Sequence, residues 1–63
     1  MIFNFKVYKA KKGNADAAYL PAAQKVLVYE TNITANNGNA AYRILYEQID
    51  IKRRWHIVKT VIA

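Results

Sequence analysis

Six of the ten basic residues in this 63-residue chain fall in two short runs: Lys9, Lys11 and Lys12, then Lys52, Arg53 and Arg54. Closely spaced lysines and arginines neutralise phosphates and release their condensed counterions, so each run is a candidate site for a phosphate-bearing or acidic partner. Tyr8 and Trp55 adjoin the runs and Tyr29 lies midway between them. Aromatic rings of this kind stack on bases where they face outward, or fill a protein interface while keeping a polar tip wet. The bland alternative is a pair of solvated loops that keep a small protein soluble. Arginine–glycine repeats, zinc-finger spacing and a helix-turn-helix pair are all absent, so nucleic-acid binding through these runs would carry little sequence preference.

Other chemistry finds few residues to work with. There is no cysteine, which excludes disulfides, thiolate metal sites and cysteine nucleophiles. His56 is the single histidine, and Asp16, Glu30, Glu47 and Asp50 are the only side-chain acids. None of them stands at helical ligand spacing from His56, and a general base would need an oriented partner and a pocket. Gly38, within Asn-Asn-Gly-Asn, lacks the further glycines or the Lys-Ser/Thr of a phosphate loop, and a turn explains it equally well. Asn32-Ile33-Thr34 matches a glycosylation pattern, but no secretory leader is read before it. The expectation is a protein that is not an enzyme and takes no cofactor or metal.

The elements that would position these side chains follow from periodicity. Ile2 to Ala10 alternates, with Phe3, Phe5 and Val7 on one side and Asn4, Lys6 and Tyr8 on the other, so a strand with one buried face is predicted. Lys11 to Asn14 ends it with turn residues. Asp16 to Ala23 is alanine-rich but broken by Pro21, which predicts one helical turn or an irregular loop with Tyr19 and Leu20 tucked over the core edge. Lys25 to Ile33 is β-branched and aromatic; strict alternation puts Leu27, Tyr29, Thr31 and Ile33 together. Apolar residues on both its faces suggest a central strand or one in a dimer interface.

Thr34 to Gln48 reads as a helix with Ala40, Ala41, Ile44, Leu45 and Ile49 on one arc. Thr34 or Asn36 would cap it, and the poor helix formers around Gly38 allow a start as late as Asn39. Asp50 to Arg54 is a charged connector. Trp55 to Ala63 is a strand apolar on both sides, covered twice or offering one side to a partner.

Together these give an α+β class in one domain, residues 1–63. The order is β-β-α-β, a three-stranded mainly antiparallel sheet with one helix on one face, and dimerisation through the open face or an edge strand is expected. With 54% hydrophobic residues the chain is too apolar for a disordered basic tail. No apolar run approaches the roughly 18 residues of a membrane span. A cytoplasmic protein with no membrane partner is expected. Two functions fit. The first is a regulatory or binding module acting through protein–protein contacts, as a homodimer or as an inhibitor or adaptor of a larger protein. The alternative is a basic accessory protein that binds nucleic acid.

Overall fold

The computed structural model describes residues 1–63. Ile2–Ala10 forms strand β1, Lys25–Thr34 strand β2, Gly38–Gln48 helix α1 and His56–Val61 strand β3. Two short 3-10 turns, Ala17–Tyr19 and Ala22–Gln24, organise the long β1–β2 loop. The sheet order is β2-β1-β3, with both pairings antiparallel. The fold is therefore the expected β-β-α-β arrangement with one helix.

The centre of the sheet is β1, the strand with the cleanest alternation. Phe3, Phe5 and Val7 point to the face that carries α1 and are buried, while Asn4, Lys6 and Tyr8 are half-buried on the other face. In register with them, Ile33 pairs with Phe3 and Tyr29 with Val7 on one flank, and Ile57 pairs with Val7 on the other. Ala41 and Leu45 of α1 are completely buried against this row, and Phe5 meets the Tyr42 ring edge-on at 5.1 Å. An eleven-residue helix is marginal in isolation, so α1 depends on this apolar contact. Each large core side chain contributes about 1.5–3 kcal/mol by leaving water.

Several sequence expectations are corrected in detail. The strand at Lys25 is an edge strand and not the central one. Its two-sided apolar pattern has another cause. Val7 pairs with Tyr29 but Tyr8 pairs with Leu27, so Val28 is an extra residue, a β-bulge. The bulge reverses the alternation, which places Leu27 opposite Tyr8 on the open face and not with Tyr29 beneath the helix.

The last strand is also an edge. It is not covered on both sides: Val58, Val61 and Ile62 are exposed. Its pairing nonetheless runs to the end of the chain, because Ile62 N–H donates to the Ile2 carbonyl and Ile2 N–H to that of Ala63.

Tyr19 does not tuck over the core. It is 86% exposed, and Ala17 is buried in its place. The small side chain fits where the loop backbone runs close to β1.

The helix cap is neither Thr34, which remains in β2, nor Asn36. Asn37 has extended backbone angles and its Oδ1 accepts the Ala40 N–H at 2.9 Å. Only residue 37 sits three positions before that orphan donor, which is the geometry a capping side chain needs.

The open face carries no second layer. Its middle is polar, with Asn4 Nδ2 donating to Glu30 and to Asn32 at 3.0 and 2.9 Å. The molecule measures 36 × 20 × 15 Å. Its radius of gyration is 12.0 Å, against about 10.6 Å for a compact chain of this length.

Two substitutions test this account by urea denaturation. Asn37→Ala is expected to cost about 1 kcal/mol through the lost cap. Leu45→Ala is expected to cost about 2–5 kcal/mol, because a fully buried side chain leaves a cavity under the helix.

Candidate functional site

The two basic runs are separated by about forty residues in sequence and meet at one end of the sheet. Lys9 and Lys11 come from the end of β1 and the turn that follows it. Lys52, Arg53 and Arg54, with Trp55, come from the connector leading into β3. All six line a single cleft of about 560 Å³. The convergence follows from the topology. β3 runs antiparallel to β1, and the last pair of their ladder is Tyr8 with His56, so Lys9 and Trp55 are the next residues out on each strand.

Local geometry sets each wall. On one side, Gly13 has φ of +69°, a left-handed conformation that turns the chain away from β1 directly after Lys11 and Lys12. On the other, Trp55 N–H donates to the Lys52 carbonyl at 3.1 Å, closing a four-residue turn with Arg53 and Arg54 at its corners. Neither arginine has positive φ, which excludes the type II and primed turns.

Two hydrogen bonds tie the walls together. Arg54 Nη1 donates to the Asn14 carbonyl at 2.6 Å, and Ala17 N–H donates to the Arg54 carbonyl at 2.9 Å. Arg54 thus has a structural task as well as a charge. Lys52 makes the only ion pair in the molecule, with Asp50 at 3.1 Å. Both partners are mostly exposed, so the pair adds little to stability, but it partly neutralises that corner of the cleft. No hydrogen bond or ion pair within the chain engages the side chains of Lys9, Lys11 or Arg53. Of the other acids, Asp16 Oδ1 accepts the Ala18 N–H and Glu30 accepts from Asn4. The positive field of the cleft is therefore largely uncompensated.

The remaining sequence candidates are dispersed. Lys12 faces a neighbouring concavity of about 370 Å³ with Lys11 and Leu20. Tyr8 stands on the open face, where Lys25 Nζ lies 5.3 Å from its ring centre. Tyr29 lies on the helix side, packed against the core, and its hydroxyl donates to Gln48 Oε1 at 2.8 Å. Only Trp55 of the three aromatics lines the cleft. His56 pairs with Tyr8 across the ladder, and no three histidine or acidic side chains converge anywhere in the molecule. No helix is long and apolar enough to cross a membrane.

Two features escaped the sequence reading. One is the Arg54–Asn14 tie, which no local pattern signals. The other is Lys59, whose Nζ sits over the rings of Phe3 and Tyr42 at 5.7 and 5.4 Å. It also lies 2.7 Å from where a Cβ on Gly38 would stand, so a side chain there would have to displace it. The chain matches no protein-family model, no curated protein and no solved structure.

The different tasks of the two turn arginines are separable. Arg54→Ala is expected to lower stability by about 1 kcal/mol, because the Asn14 carbonyl loses a charged donor at an exposed site. Arg53→Ala is expected to change it by less than about 0.5 kcal/mol. Thermal unfolding of both variants beside the parent chain measures the difference.

Proposed function

We propose that this protein is a small non-enzymatic binding module of the cytoplasm whose basic cleft holds the phosphate backbone of a nucleic acid with little sequence preference. The observation that carries the reading is the convergence of two sequence-distant basic runs on one concavity, with a single acid paired among them. A cleft lined by one sign of charge focuses the field and concentrates oppositely charged ligands. Lys9, Lys11 and Arg53 would contact phosphates directly. Arg54 would add charge while holding the wall, and Lys52 would contribute less because Asp50 shares it. No base-reading element stands in the cleft, which fits weak sequence preference.

Fluorescence anisotropy of a labelled single-stranded oligonucleotide, measured across a salt series, tests this reading. With Lys9, Lys11, Arg53 and Arg54 engaged, the slope of log K against log salt is expected to be about −3. Combined Lys9→Ala, Lys11→Ala and Arg53→Ala substitution is expected to bring the slope to about −1, since each lost contact to a single strand removes about 0.7. None of these three side chains supports the fold through a hydrogen bond or ion pair, so the variant should remain folded. Absence of binding by the parent chain at low salt would overturn the proposal.

A second reading, self-association, is favoured by a separate observation. β3 is an edge strand with no neighbour on its outer side, and Val58, Val61 and Ile62 are 37%, 51% and 54% exposed. Pairing of two β3 strands about a two-fold axis would continue the sheet and protect that edge. Sedimentation velocity over a wide concentration range is expected to show a monomer–dimer equilibrium. A chain that stays monomeric at the highest concentration sinks this second reading and leaves the first intact.

A further inference from the structure

We infer that the cleft takes a single strand and not a duplex, with one unpaired base stacked on Trp55 and the flanking phosphates on Lys9, Lys11 and Arg53. This deepens the proposed nucleic-acid function and rests on it.

The first observation is which aromatic ring is free. Of the aromatics Tyr8, Tyr29 and Trp55, two are occupied within the fold, and Trp55 is the only aromatic of the chain that lines the cleft. Lys25 covers Tyr8, and Tyr29 is packed at the core edge and tied to Gln48. Trp55 has no cation over its ring, and its indole N–H makes no hydrogen bond in the chain yet is not sealed from solvent. It is half-buried and lines the cleft. A half-buried indole in the wall of a cleft is a stacking platform with less freedom to lose than a fully exposed ring when a base arrives.

The second observation is shape. A duplex hides the faces of its bases within the stack and shows only their edges in the grooves. Reading those edges takes a protruding helix or a two-stranded ribbon. Here α1 lies on the sheet, contributes nothing to the cleft, and carries one exposed base and one exposed acid, Arg43 and Glu47. The cleft is a concavity of about 560 Å³ at the end of the sheet. Pockets of this size enclose ligands of small-molecule dimensions, such as a nucleotide or two, and not the side of a double helix.

Trp55 is the only tryptophan, so its emission reports on the cleft without a label. The full chain is titrated at low salt with an oligothymidylate single strand, with a duplex of equal length and with inorganic polyphosphate. The single strand is expected to bind tightest and to quench the emission strongly, with little change from polyphosphate. By anisotropy, Trp55→Ala is expected to weaken single-strand binding about 5- to 150-fold. The same variant should leave the affinity for polyphosphate unchanged, and Trp55→Phe should recover part of the loss.

Should Trp55→Ala fail to fold, the titrations of the parent chain decide alone. Equal affinity for duplex and single strand, or single-strand binding without quenching, would overturn the inference while leaving the phosphate-binding proposal standing. Failure of all three ligands to bind would remove both.

Discussion

One strand supports the whole molecule. β1 is the only element with hydrogen-bonded neighbours on both sides, and its Phe3, Phe5 and Val7 supply nearly half of the seven buried side chains. Remove its pairing and neither β2 nor β3 has a partner. Remove its aromatic row and α1 loses the centre of the surface it packs on, keeping only flanking residues such as Ile33, Tyr29 and Ile57. This economy follows from length, because a chain of this size cannot build a second layer of core without disulfides or metal. The result is a thin α-on-β sandwich with a half-wetted open face.

The same strand explains why the charge collects where it does. The β1–β3 ladder runs as far as Tyr8 and His56, so the chain segments that leave β1 and enter β3 at that end emerge side by side. Both segments are basic. Mutual repulsion among their side chains opposes the compact state. The fold offsets this with groups of other kinds: the Arg54–Asn14 and Ala17–Arg54 hydrogen bonds, the buried Ala17 and the Asp50 carboxylate. A stable concavity made of like charges is a site that a multivalent anion relieves. That is the physical link from the fold to the proposed function.

Much of this architecture was legible in the chain. The Phe3-Phe5-Val7 alternation announced the buried face of β1, and the 3.6-residue arc through Ala41 and Leu45 announced the helix. The two basic runs and Trp55 were visible as candidates. Their convergence was not, because nothing local says that β3 returns beside β1 and not beside β2. The bulge at Val28 was equally hidden. An extra residue in a β-branched run leaves every residue type strand-like and changes only the phase, so strict alternation puts Leu27 on the wrong face. The Asn37 cap was lost among Asn36, Asn37 and Asn39, three residues of equal capping chemistry that only backbone geometry distinguishes. Hydrophobicity predicts burial of Tyr19 on average, but the buried position in the loop is filled by the methyl of Ala17.

The two walls of the cleft belong to ladders that close loops of different length. The β1–β2 hairpin, with its Lys9 and Lys11 wall, joins residues nearer in sequence than those of the β1–β3 ladder, whose closure spans most of the chain. Closing the larger loop carries the greater entropic cost. Until β3 docks, Trp55 and Arg53 have no fixed relation to Lys9, so a hairpin-and-helix species would lack the site. An anion that bridges the two walls therefore acts as a reversible cross-link between the first and last strands of the chain. By mass action it favours the fully assembled sheet over any state in which the final strand is loose.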